Sequence, residues 1–413
     1  MPYTLPDSPP GTTAPDHLRV VQVVDRPGII DLSWGHPDLA LLPVSALRAA
    51  TADAFDRYGP DALSYGRDAG PPPLVEAIRE RLAATDARVP AADEIVVTAG
   101  ASHALDLAAT LLVAPGDVVL VEEPTYHLAV RVLRDHPVDL VSLPFDGGGL
   151  RTDAAAETIA RLRGAGRRVR MLYTIPTYHN PTGVTLDDGR RREVVALAAE
   201  AGVTIVEDDV YRELAYDAPA PPSLWSLAPR GTVVRLGSFS KTLAPGLRLG
   251  WMTLDETTAR RFWDGGLLDS GGGISHFSGL VASEVARAGA YDAHVEELRR
   301  VYRLRRDALA GALARHLPDG CRVRVPGGGF FLWMSLPGVA EGAGGDARAL
   351  LPLAEEAGTS FVPGGVFFVD GGGRRSLRLA FSMYGPEDLD EGARRLGEAV
   401  RRLGEDAAAA TRL

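Results

Sequence analysis

Lysine is all but missing from this chain: of its 44 lysine and arginine residues, only Lys241 is a lysine. Arginine can replace lysine at most solvated or ion-paired positions, but its guanidinium stays protonated and cannot act as a neutral amine. The one lysine retained therefore points to chemistry rather than surface charge. Cysteine is equally scarce. Cys321 alone excludes an internal disulfide and any multi-cysteine metal site, which fits a buried thiol in a reducing compartment. No apolar run reaches the roughly 20 residues of a membrane-spanning helix. The start, Met1 to Asp16, is proline-rich and polar, without the basic and apolar segments of a signal peptide. A cytoplasmic location is the expectation. Basic runs and stripes are absent from a chain of net charge −10, which argues against a nucleic-acid partner.

What is present is enough apolar material for one large core or two: 413 residues, 46% of them hydrophobic. The first residues read as an arm without structure of its own. From Pro72 onward, helical and strand periods alternate. Helices are expected at Pro72 to Ala84 and Ser102 to Val113. Strands are expected at Glu94 to Thr98, Asp117 to Val121, Val169 to Tyr173, Val203 to Val206, Val233 to Leu236 and Leu247 to Met252. Such alternation implies an α/β fold with a mainly parallel sheet covered on both faces. Beyond Ser275 the texture changes. A long helical stretch runs to His316 with a break near Gly289. It is followed by strands at Arg322 to Val325 and Phe330 to Ser335, a helix at Leu350 to Gly358, a strand at Ser376 to Phe381 and a last helix from Pro386. This second part predicts a smaller α+β domain.

The lysine stands in Gly237-Ser238-Phe239-Ser240-Lys241-Thr242-Leu243-Ala244-Pro245-Gly246-Leu247-Arg248. The lead-in places it on a turn at the end of a buried strand, where open α/β sheets bind ligands. A lysine desolvated there has a lowered pKa and becomes a usable nucleophile. Arg248, seven residues on, suits a phosphate bidentately, and Ser238 and Ser240 add hydroxyl donors. Three further segments stand in order before it. Thr98-Ala99-Gly100-Ala101-Ser102-His103 is a strand end entering a helix, a place where free N–H groups bind anions. Pro176-Thr177-Tyr178-His179-Asn180-Pro181-Thr182-Gly183 is a turn. Val206-Glu207-Asp208-Asp209-Val210-Tyr211 puts carboxylates at a strand end. Arg378 sits inside an otherwise apolar strand.

Together these segments resemble the fold type I, class I and II aminotransferases, of the 2-aminoadipate and aromatic subgroup, over nearly the whole chain. The resemblance implies a three-layer α/β/α large domain at residues 45–288, a small C-terminal domain at 289–413, and a segment 1–44 comprising the arm and part of the small domain. It implies pyridoxal 5'-phosphate (PLP) as cofactor, bound as a Schiff base to Lys241. By the same resemblance, Gly100, Ala101, Ser102, Ser238, Ser240 and Arg248 hold the phosphate. Asp208 keeps the pyridine nitrogen protonated, Asn180 and Tyr211 reach the phenolate oxygen, and Tyr126 stacks on the ring. Tyr65 reaches the phosphate of a neighbouring subunit, so a homodimer is implied. Arg378, with Gly35 and Asn180, takes the substrate carboxylate. Lys241, Asp208 and Tyr126 are the expected catalytic residues.

The implied reaction is ping-pong transamination between an α-amino acid and a 2-oxo acid through a Lys241 aldimine. The same cofactor contacts also serve elimination, replacement, decarboxylation, oxidation and carbon–carbon bond formation, for example on S-adenosylmethionine. Only the pocket distinguishes these outcomes; its candidates are Trp34, Gly35, His36, His127, Tyr178 and His276. Two readings outside this chemistry meet obstacles. The Ser-x-x-Lys of penicillin-binding enzymes needs a second lysine for its Lys-Thr-Gly element. An aminotransferase-like regulator would carry a helix-turn-helix module before the motifs, where a short arm is expected.

Overall fold

A computed structural model describes residues 26–86, 88–271, 275–337 and 345–410; the proline-rich start, Met1 to Asp16, lies outside them. The first strand, β1 (Ile30–Asp31), precedes a helix at Val44–Tyr58 that periodicity did not reveal. Eight strands then build the main sheet: β2 (Ile95–Thr98), β3 (Val118–Glu123), β4 (Asp139–Asp146), β5 (Gly149–Leu150), β6 (Val169–Thr174), β7 (Thr204–Asp208), β8 (Val233–Ser238) and β9 (Gly250–Thr253). Their order in space is β2-β9-β8-β7-β6-β3-β4-β5. The run β4-β3-β6-β7-β8 is parallel, and β9 runs antiparallel to both neighbours.

Parallel strands joined by helical crossovers are covered on both faces, and β3 shows the result. Val119 and Val121 enter one core with the helices Ala101–Leu112 and His127–Arg134. Val118 and Leu120 point the other way, into a core with the helices Thr152–Gly164 and Asp188–Ala201. This is the three-layer α/β/α architecture. The chain winds outward in both directions from the β6–β3 pair, so the carboxyl ends of β3, β6, β7 and β8 open onto one crevice, the usual place for a ligand.

The rest of the chain forms a smaller antiparallel sheet of β10 (Arg322–Arg324), β11 (Phe331–Ser335), β13 (Val362–Pro363) and β14 (Ser376–Ala380), in the order β10-β11-β14-β13. A short strand, β12 (Thr359–Ser360), pairs in parallel with β1 and so ties the start of the described chain to this part. Helices Ala290–His316, Ala347–Glu356 and Pro386–Ala410 pack around its core. The expected strand Leu247 to Met252 is shorter than its apolar pattern suggested. Pro245–Leu247 forms a 3-10 turn and Arg248 sits at φ +48, so pairing begins at Gly250.

Candidate active site

The sequence-predicted residues from Gly100 to Lys241 lie at the carboxyl ends of the strands or in the segments that follow them, all at the same end of the sheet. The helix Ala101–Leu112 starts directly after β2, with Gly100 as its N-cap at φ +93 and no side chain bonding its first turn. Among the described residues, the N–H groups of Ala101 and Ser102 therefore meet this corner without a side-chain acceptor. Arg248 closes the corner by donating from Nη2 to the Ala99 carbonyl at 3.1 Å. Gly100 sits at φ +93, a conformation that favours glycine, and a Cβ there would lie 2.9 Å from that same Nη2, so the arginine head would have to shift. Ser240 lies in the turn after β8, where its N–H donates to Ser238 Oγ at 3.1 Å.

Lys241 follows β8 on this turn and donates from Nζ to the Gly35 carbonyl at 2.9 Å. Burial, reinforced by the nearby Arg378 cation, brings its pKa down from 10.5 to about 8. A neutral amine is thus accessible close to physiological pH. Asp208, the last residue of β7, behaves in the opposite sense: burial pushes its carboxyl from 3.8 up to about 6. Its Oδ2 accepts from the Tyr173 hydroxyl at 2.7 Å, while Oδ1 is buried with no hydrogen-bond partner among the described residues. Tyr126, at the start of its helix, is pushed up to about 12 by burial and lies within electrostatic reach of both Arg378 and Asp208. The ring of Tyr211 lies 5.9 Å from Lys241 Nζ, and burial raises its hydroxyl strongly.

Arg378 comes from β14, in the smaller sheet. Its Nη1 donates to Asn180 Oδ1 at 3.0 Å and its Nη2 to the Ser33 carbonyl at 2.8 Å, while Nε is buried without a partner among the described residues. Burial lowers its pKa from 12.5 to about 10. With Oδ1 engaged by Arg378, the Asn180 amide has its Nδ2 donor left to offer. The segment Ser33 to His36 crosses the crevice, its Ser33 and Gly35 carbonyls accepting from the two cations. His36 is held down at about 4 by burial and by Lys241 and Arg378.

The other pocket candidates divide. Trp34 packs edge-on against His36 at 5.3 Å, and His127 against Tyr126 at 5.6 Å. Tyr178 is buried in the core of the smaller part, and His276 bonds the Asp61 carbonyl beside the Tyr65 loop. Tyr65 itself is 87% exposed. Asp209, which the spacing set apart from Asp208, is committed to an ion-pair cluster with Arg235 and Arg212. Several supporting residues carried no signal in the sequence. Tyr173 precedes Asp208 by 35 positions. Ser33 acts through its carbonyl, and Phe331 and Phe367 lie against the Arg378 guanidinium. Glu122 lies 3.2 Å from His179 Nε2 and accepts from the Thr174 hydroxyl and the Ile175 N–H.

These residues fit PLP. The uncapped helix start and Arg248 suit its phosphate, the orphaned Asp208 Oδ1 suits a protonated ring nitrogen, and a desolvated amine stands where its aldehyde must be held. Comparison with known proteins agrees. The chain is 32% identical to aromatic-amino-acid aminotransferase 1 of Thermococcus litoralis, over 95% of this chain and 92% of that one. The crystal structure of Pyrococcus horikoshii kynurenine aminotransferase, in complex with PMP, superposes with a TM-score of 0.84 at 32% identity, covering 91% of each chain. That of the α-aminoadipate aminotransferase LysN from Thermus thermophilus, complexed with N-(5'-phosphopyridoxyl)-L-leucine, does so at 0.81 and 33% identity, covering 91% of this chain and 93% of that one. The family model for aminotransferase class I and II matches residues 27–396, and the chain belongs to that family of PLP-dependent amino-group transferases.

Proposed function

We propose that the amino group moves from an α-amino acid to a 2-oxo acid in two successive half-reactions, with Lys241 as the acid–base group and Arg378 as the carboxylate clamp. The observation that carries this reading is the pair of buried cations in one crevice, an amine lowered to about 8 and a guanidinium with an unpartnered Nε. Bound here, PLP supplies an electron sink for the negative charge left at the donor's α-carbon. Gly100, Ala101, Ser102, Ser238, Ser240 and Arg248 would hold its phosphate, Asp208 its ring nitrogen, Asn180 and Tyr211 its phenolic oxygen, and Tyr126 its ring face.

Arg378 binds the donor carboxylate through Nε and an adjacent N–H, and this two-point grip turns the α-hydrogen toward Lys241. Lys241 takes that proton at Nζ and returns it, a role open to it because burial makes the neutral amine accessible near pH 8. Asp208 stays ionised opposite a cation, and Tyr173 fixes the orientation of its carboxylate. The first 2-oxo acid leaves before the second binds on the same Arg378. The half-buried rings of Trp34, His36 and His127 close to these groups favour a donor with an aromatic or long apolar side chain.

The active form in this proposal is a cytoplasmic homodimer. Leu39, Val44, Leu63 and Tyr65 are 70%, 60%, 71% and 87% exposed within one stretch of chain, an apolar surface for a second copy to cover. Tyr65 then reaches the partner's phosphate corner. The test is spectroscopic. A donor amino acid added alone should remove the bound cofactor's visible band, and a 2-oxo acid added alone should restore it. Release of ammonia without such recovery would contradict transamination.

A further inference from the structure

Arg378 presents a physical problem that the hydrogen bonds around it do not solve. It is 5% exposed and its guanidinium bonds two neutral acceptors, with no carboxylate paired to it among the described residues. A buried cation normally needs a counter-ion. A resident aspartate or glutamate would occupy the same N–H edge that the substrate carboxylate must use. Two phenyl rings stand near it instead. The Phe331 ring centroid lies 4.1 Å from Arg378 Cζ and that of Phe367 lies 5.1 Å away. An aromatic face attracts a cation through its quadrupole yet accepts no in-plane N–H bond.

Both rings are themselves fixed. Phe331 belongs to β11, the strand paired with β14, and meets Tyr211 edge-on at 5.9 Å. It also backs the Ser33–His36 segment, since a Cβ on Gly35 would fall 2.4 Å from Phe331 Cζ. Phe367 lies in the 3-10 turn Gly364–Phe367 and is anchored to the segment that follows β3 by the Thr125 N–H, which donates to its carbonyl at 2.9 Å. Its ring meets His127 edge-on at 5.1 Å and Trp333 at 5.9 Å.

We propose that Phe331 and Phe367 are positioning residues for the carboxylate clamp: their rings hold the Arg378 guanidinium in place without spending its free N–H edge. The inference rests on the reading that Arg378 binds the α-carboxylate. Three variants of the cofactor-loaded protein separate the two claims: Phe331→Leu, Phe367→Leu and Arg378→Leu. For each, KM and kcat per loaded site are measured for donor and acceptor. Calorimetry gives the Kd of 3-phenylpropionate, an unreactive carboxylate. With either leucine variant, KM for both substrates and the Kd should rise together about tenfold, the loss expected for a desolvated cation–π contact. Meanwhile kcat should change far less than KM, a split that a general loss of folding would not produce. If Phe331→Leu fails to load cofactor, Phe367→Leu carries the same expectation. A raised Kd in Arg378→Leu with Kd unchanged in both ring variants overturns the positioning role and leaves the clamp standing. An unchanged Kd in Arg378→Leu overturns the clamp itself.

Discussion

Asp208→Asn should make the cofactor-free protein more stable while disabling it. The carboxyl of Asp208 is raised from 3.8 to about 6, chiefly by burial, so at pH 7 it is ionised in a site that disfavours its charge. A displacement of about two units corresponds to about 3 kcal/mol of strain against folding. Because the folded pKa is the higher one, the folded protein holds this proton more tightly between pH 3.8 and about 6. Wild-type stability from this group is therefore greatest below that window, declines through it, and stays reduced above it. Asparagine removes the charge and can keep the bond from Tyr173, whose hydroxyl donates to Asp208 Oδ2 at 2.7 Å. Its amide nitrogen would remain buried at the orphaned position, which returns about 1 to 2 kcal/mol. The net expectation is a gain of about 1 to 2 kcal/mol at pH 7 that is lost near pH 5 and slightly reversed at pH 4. Urea unfolding of cofactor-free wild type and variant at these pH values measures it directly. With cofactor bound the sign reverses, since the same carboxylate then faces a cation, and turnover should collapse. A variant no more stable than wild type at pH 7, or one whose advantage persists at pH 4, would refute the reasoning.

Other consequences can be checked in parallel. Tyr291 donates to Glu213 at 2.7 Å and bonds Thr242, the neighbour of Lys241, at 2.6 Å. Tyr291→Phe should thus lower unfolding stability by about 1 to 3 kcal/mol in urea titration; an unchanged midpoint would show that these buried bonds contribute nothing. Gly35→Ala would drive a Cβ into Phe331 and shift the carbonyls that receive Lys241 and Arg378. A fall of about a hundredfold in kcat/KM is expected, and wild-type kinetics would contradict it. If Tyr65 serves the partner's site, two inactive homodimers, Tyr65→Ala and Lys241→Ala, should regain about a quarter of wild-type activity when their subunits are exchanged, because half of the dimers then carry one complete site. No recovery after verified exchange would place Tyr65 elsewhere.

The sequence was most readable where chemistry and local backbone coincide. Lys241, Asp208 and Asn180 each lie at or within a few residues of a buried strand's end, and their spacings carried the family pattern into the crevice that β6, β7 and β8 frame. Gly100 was legible for the same reason, as a helix start with a conformation that suits glycine. What stayed hidden acts across the sheet or through the backbone. Tyr173 reaches Asp208 from the adjacent strand, and nothing in a run of apolar residues distinguishes it from core. Ser33 contributes a carbonyl, a role independent of side-chain identity, whereas Gly35, expected beside the substrate carboxylate, offers its carbonyl to Lys241. Phe331 and Phe367 read as ordinary core aromatics until β14 places Arg378 beside them. The boundary of β9 was misplaced because its apolar alternation continues through a turn that Pro245 and the φ of Arg248 enforce.

The single lysine makes the central claim open to direct measurement. Borohydride reduction of the PLP-loaded protein should leave one phosphopyridoxyl group, found by peptide mass spectrometry on the segment containing Lys241, the only lysine of the chain. Prior exposure to an amino donor without acceptor should abolish that label. An unmodified Lys241 peptide from fully loaded enzyme, or a label that donor treatment leaves in place, would contradict the assignment of Lys241 as the residue that holds the cofactor and gives way to the substrate.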